Sequence, residues 1–118
     1  MKRFIRVMKA LSDPGRVKII KMLEHKAMCV CEIQAALGLA QPTVSKHLKL
    51  LEESGLVVSM KDGLWVNYRL PEKIDNPYAA RLLKSMKDWL NGEEMISHLI
   101  ERLPLIHRED ICKKINSK

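Results

Sequence analysis

Apolar positions recur along the first half of this chain at helical intervals, not at the alternation of a strand. Phe4, Met8 and Leu11, with Ile5 beside them, predict a short amphipathic helix from Lys2 to Leu11. Ser12-Asp13-Pro14 ends it and starts the next. Asp13 suits an N-cap and Pro14 the first helical position. Val17, Ile20 and Leu23 carry this second helix to about Glu24, where His25-Lys26 gives it a basic end. A third begins at Cys29-Val30-Cys31-Glu32, with Glu32 at capping-box spacing from Cys29 and a stripe of Val30, Ile33 and Leu37. Gly38 closes it. After the short turn Gly38-Leu39-Ala40, Gln41-Pro42 opens a fourth helix to about Ser54, stopped by Gly55.

In that fourth helix Val44, Leu48 and Leu51 share one face, while Gln41, Thr43, Ser45, Lys46 and Lys49 lie opposite. Two helices joined by a short Gly-containing turn, the second with a polar and basic outer face, make the helix-turn-helix pattern. Such a face can meet base edges and phosphates in a major groove. Two β-rich runs follow, Leu56 to Lys61 and Leu64 to Leu70, and Asp62-Gly63 between them predicts a tight hairpin. A hairpin in this position is a wing, with Lys61 near its tip. The fold expected is a mainly α winged helix-turn-helix with a small β-hairpin. Pro77 to Leu90 predicts another helix whose apolar stripe (Tyr78, Leu82, Leu83, Met86, Trp89, Leu90) is broader than one small domain needs, so part of it reads as a dimer face. Asn91-Gly92 breaks it. Glu93 to Leu103 predicts a last helix, Pro104 halts it, and a polar tail, expected to be mobile, runs to Lys118.

Composition narrows the function. The chain has 118 residues, 47% of them apolar, which suits one compact domain. A domain this small buries only about two-thirds of its unfolded surface, so a partner chain is expected to add to it. Twenty-one Lys and Arg against fourteen Asp and Glu leave a net charge of +7, which favours a polyanionic partner, nucleic acid or an acidic membrane face. No apolar run approaches a membrane span. Arg6 and Lys9 interrupt what would be the apolar core of a signal peptide. Three cysteines are no disulfide framework and point to a reducing cytoplasm. No nucleotide-binding Gly-rich loop, Ser/His/Asp set or carboxylate pair stands out, so an enzyme is not expected.

Several strings together resemble the ArsR/SmtB family, and more closely its arsenic-responsive repressors: Leu11-Ser12-Asp13-Pro14-Gly15-Arg16, Cys29-Val30-Cys31-Glu32, Gln41-Pro42-Thr43-Val44-Ser45-Lys46-His47-Leu48, and Gly63-Leu64-Trp65-Val66-Asn67-Tyr68-Arg69-Leu70. The similarity spans roughly residues 4–90. It implies a homodimer joined through its first and last helices that binds double-stranded operator DNA and releases it when a toxic metal or metalloid ion binds. It implies base-facing roles for Gln41, Thr43, Ser45 and Lys46. His47 is assigned either to direct contact or to a place behind the face, and Lys49 and Lys61 join the DNA-binding set. On this reading residues 1–91 form the DNA-binding and dimerisation domain, and residues 92–118 a helical extension and polar tail.

The inducer expected is trivalent arsenic or antimony, soft ions that bind thiolates, with no organic cofactor. Cys29 and Cys31 stand at a predicted helix start, where free N–H groups and the dipole lower a thiol pKa. Residues two apart in a regular helix point about 200° apart. Both sulfurs then reach one ion only if the first turn is non-helical or unwinds, so ligation is expected to distort the start of the third helix. The best-known arsenic sensors carry a third cysteine where Gln34 stands here. Cys112 from either protomer, or a small-molecule thiol, is the alternative third ligand. A zinc-, cadmium- or lead-responsive repressor of the same fold, or a thiol redox switch, remains open beside this reading. His98 with Glu101, and His107 with Asp110, have spacing that suits a metal, but Glu72 and Ile74, just after the wing, offer no histidine.

Overall fold

The computed structural model describes residues 1–107. Helix α1 (Lys2–Ala10) turns inward with Val7 and Ala10. Helix α2 (Pro14–Leu23) starts as expected, with the Asp13 carboxylate accepting the backbone N–H groups of Gly15 and Arg16 at 2.8 and 3.2 Å. Helix α3 (Val30–Leu37) ends on Gly38, whose φ of 67° is the left-handed cap that a glycine adopts without strain. Helix α4 (Gln41–Glu53) buries Val44, Leu48 and Leu51. These join Ile19, Ile20, Met22, Ile33, Leu56 and Val57 in the core.

The sheet has three antiparallel strands, one more than the hairpin predicted from the sequence. Strand β1 (Met28–Cys29) pairs with β3 (Trp65–Arg69), which also pairs with β2 (Val58–Asp62), in the order β1-β3-β2. Two residues are too few to show an alternation, so β1 left no periodic trace. The hairpin is displaced from its expected place. Leu56 and Val57 go into the core before pairing starts at Val58. Asp62 pairs with Trp65, so the loop is Gly63-Leu64, not Asp62-Gly63.

Helix α5 (Pro77–Met86), capped by Asn76, stops four residues short of the predicted Leu90. The carbonyl of Met86 is taken at 2.6 Å by the ammonium of Lys21, a fully buried lysine that also pairs with Glu24 at 2.7 Å. Trp89 N–H donates to the same carbonyl across a tighter turn, and Leu90 reverses the chain at φ 68°. Trp89 and Leu90 therefore leave the α5 stripe, and both are exposed. Helix α6 (Glu94–Arg102) and a 3₁₀ turn (Leu103–Leu105) fold back onto α2 and α3. Leu99, Leu103 and Ile106 are buried, Arg102 donates to the Ala36 carbonyl at 2.6 Å, and Lys26 donates to the Leu103 and Ile106 carbonyls. Among the described residues no helix is long and apolar enough to cross a membrane.

Candidate nucleic-acid interface and thiol site

Helices α3 and α4 form the helix-turn-helix, and Gly38 sets their angle. Gln41, Thr43, Ser45, Lys46 and Lys49 are all exposed along α4, opposite the buried Val44, Leu48 and Leu51. Lys61 is exposed on β2, paired with Val66 one step before the hairpin closes. The structure thus sets these six side chains on solvent-facing surface of the reading helix and the wing.

His47 differs. Its ring turns inward against the start of α2, where Arg16 donates to Nδ1 at 3.1 Å and the Asp13 carboxylate lies 3.6 Å from Nε2. Arg16 is itself anchored on the carbonyls of Ala10 and Lys9. Burial pushes the His47 pKa below its ordinary value. The Asp13 charge opposes this, while Arg16 and Lys46 add to it. The Asp13 carboxyl feels burial as a raising influence, but its two backbone N–H bonds and the His47 and Arg16 charges hold it below the usual range. A Cβ on Gly15 would come to 3.0 Å from both His47 Nε2 and the Asp13 carboxylate, so a larger residue there would press on this junction. The ring of His47 is 13% exposed and lies between α4 and the start of α2. Gly15 at the second position of a helix, a poor residue there, was the signal that something packs close.

The thiol site lies at the other end of the helix-turn-helix. Cys29 and Cys31 are both free thiols, Cys29 buried and Cys31 half-buried. Cys29 is the extended N-cap of α3 (φ −87°, ψ 170°), the place its capping-box spacing to Glu32 gave it, and it pairs with Asn67 of the wing strand. The start of the helix is thus already non-helical at Cys29, and the 200° separation of a continuous helix does not apply to the pair. One expectation is corrected: the Cys29 thiol is pushed up, not down. Burial is the largest cause, and the charge of Glu32 and its hydrogen bond with the thiol add to it, outweighing the helical N–H of Glu32. The Glu32 carboxylate caps the Cys29 N–H at 3.0 Å and lies 3.7 Å from Lys26. The Lys26–Glu32 link, six residues apart across a strand and a helix start, has no periodic signature in sequence.

Among the described residues no group of three His, Cys, Asp or Glu side chains could hold a metal ion. Two soft donors are at hand, and a thiophilic ion would need a third. Cys112 and Asp110, with the polar tail, lie outside the described residues.

Residues 13–59 match the family described as "Bacterial regulatory protein, arsR family". The chain is 37% identical over 100 residues to the arsenical resistance operon repressor of Escherichia coli K12, over 84% of this chain and 83% of that one. Among solved structures it resembles the homodimeric winged helix-turn-helix DNA-binding domain Mb0332 of Mycobacterium bovis, a possible ArsR-family transcriptional regulator (TM-score 0.61, 30% identity, 74% of this chain and 77% of that one). It also resembles the cadmium metal-sensor CMTR of Mycobacterium tuberculosis (TM-score 0.56, 30% identity, 75% and 84%).

Proposed function

Since this chain belongs to the arsR family of bacterial regulatory proteins, we propose that it is a homodimeric repressor that releases operator DNA when trivalent arsenic or antimony binds Cys29 and Cys31. Gln41, Thr43, Ser45 and Lys46 read the operator, Lys49 and Lys61 hold its phosphates, and His47 supports Thr43 and Lys46 from behind. The observation that carries this reading is the position of the two thiols. They sit where β1 meets both the wing strand and the first helix of the helix-turn-helix.

Each thiol that ligates arsenite forms an As–S bond as one As–OH leaves with the thiol proton as water. Drawing Cys29 towards a shared ion pulls on its pairing with Asn67 and on the Glu32 cap, and so on the wing and α3 together. A coupling of about 1–3 kcal/mol, roughly 5- to 150-fold in affinity, is ordinary for such a device. Cys112 is the proposed third ligand. Lys26, three residues before Cys29, holds the Ile106 carbonyl at 2.8 Å, which brings the end of the described chain towards the thiols. For the homodimer, the exposed apolar side chains of α1 and α5, Phe4, Ile5, Met8 and Tyr78, supply the face, in keeping with the homodimeric Mb0332.

The test is an arsenite titration of the protein bound to operator DNA. Cys29→Ser and Cys31→Ser are expected to bind DNA within a few-fold of wild type and to lose release; if both still respond normally, the reading is wrong. Cys112→Ser decides the third ligand. The likeness to a cadmium sensor favours a second reading, a cadmium-, lead- or zinc-responsive repressor using the same thiols. Release by one of those ions but not by arsenite would select it. Release by peroxide, reversed by dithiol and indifferent to every ion, would make the pair a redox switch.

A further inference from the structure

The basic excess of this chain is concentrated at its start. Residues 1–18 hold six cations, Lys2, Arg3, Arg6, Lys9, Arg16 and Lys18, against the single acid Asp13, a net +5 of the chain's +7. Two of the six are engaged. Arg3 donates to the Asp75 carbonyl at 2.8 Å, and Arg16 is committed to Ala10, Lys9 and His47. Lys21 pairs with Glu24, Lys26 with Glu32 and His47 with Asp13. None of these pairs involves Lys2, Arg6, Lys9 or Lys18.

These four cations lie along one side of the reading helix. Lys2, Arg6 and Lys9 recur at i, i+4 and i+7, one face of α1, and all three are exposed. They line a groove of about 690 Å³ between α1 and the C-terminal half of α4, whose floor includes Leu50 and whose one acid is Glu53. Lys18 lines a smaller cleft further along the same face of α4, beside Thr43, His47 and the acid Asp13. We infer that α1 and the start of α2 form a second, sequence-independent DNA contact, a phosphate clamp beside the helix that reads the bases. The inference rests on the DNA-binding reading above.

Charge complementarity selects the occupant. Unpaired cations along one helix face suit a line of phosphates, and each phosphate neutralised releases counterions on binding. An acidic membrane surface fits less well, because an interfacial helix needs aromatic and apolar side chains beside its cations. Here Met1 and Ile5 do line the groove beside the cations, but Phe4, the one aromatic residue of α1, packs edge-on against Tyr78 of α5 at 5.3 Å and takes no part in it.

The experiment is binding to a random-sequence duplex, followed by fluorescence anisotropy between about 50 and 200 mM salt. A Lys2→Gln, Arg6→Gln, Lys9→Gln variant is expected to flatten the slope of log affinity against log salt by up to about 5 for a dimer, and Lys18→Gln by up to about 2. Both should weaken operator and random duplex in the same proportion, whereas Lys46→Ala weakens the operator more. Lys18→Gln carries the test by itself if the triple variant disturbs dimerisation. Slopes within about 1 of wild type for both variants overturn the inference and leave the DNA-binding reading standing. A shallow wild-type slope removes both. Unchanged DNA slopes with lost binding to phosphatidylserine vesicles would reassign the surface to a membrane.

Discussion

His47 shows how one side chain's surroundings decide its role. In the sequence it stands within a run of exposed polar residues, and only the fold shows Arg16 donating to its ring. Because its pKa is lowered in the folded protein, the unfolded chain takes up a proton first as the pH falls. The stability this site contributes is therefore full above about pH 6.5 and is lost as the pH drops through the lower, folded value. The melting temperature should fall more steeply between about pH 7 and 5 in the wild type than in His47→Gln, which accepts from Arg16 but cannot be protonated. Equal slopes would detach the ring from the acid sensitivity. Asp13 acts in the same direction in a separate, more acidic window, since its own pKa is also held low. Cys29 runs the other way. Its raised thiol pKa contributes stability below the ordinary thiol range, and this is lost at alkaline pH.

At the level of elements, the helix ends were the most legible part of the chain. Asp13-Pro14, Glu32 after Cys29, and Gly38 each satisfy or redirect backbone groups within a few residues, so their effect is written locally. Gly38 offers a clean measurement. Nothing lies within 4 Å of a Cβ added there, so replacement meets only the cost of φ 67°. Gly38→Ala should lower the unfolding free energy by about 1–2 kcal/mol in denaturant titration. Asn, which tolerates the left-handed region, should recover much of that. The elements that departed from expectation did so through distant groups. α5 ends early because Lys21, sixty-five residues away, takes the Met86 carbonyl. The hairpin shifts because Leu56 and Val57 are drawn into the core. β1 exists only because β3 runs alongside it.

Across the whole molecule, the segment after α5 is joined to the rest by burial as well as by hydrogen bonds. Leu99 and Leu103 are 6% and 3% exposed and face the core that α2 and α3 share. Leu99→Ala and Leu103→Ala should each cost about 2–5 kcal/mol of unfolding free energy. A loss well under 1 kcal/mol would show α6 to be a detachable appendage. Helices α1 and α5 together expose apolar side chains, with Phe4 39% and Tyr78 41% exposed in the single chain. If this is the dimer face, Phe4→Glu should shift sedimentation towards the monomer and lower DNA affinity by far more than one lost contact. Both half-sites would then be bound separately. A variant that stays dimeric places the interface elsewhere.

The helix-turn-helix, the wing, the polar face of α4 and the cysteine pair were all readable from the chain alone. Periodicity, caps and turn residues act over three to seven positions, and that is the range over which a one-dimensional pattern carries physical information. The inward turn of His47, the pairing of Cys29 with Asn67 and its raised thiol pKa were not readable. Nor were the Lys21 tie that ends α5 and the grouping of the basic residues along one side of the reading helix. Each depends on groups far apart in the chain that meet only when the core closes, where desolvation and short hydrogen bonds set a side chain's charge and direction.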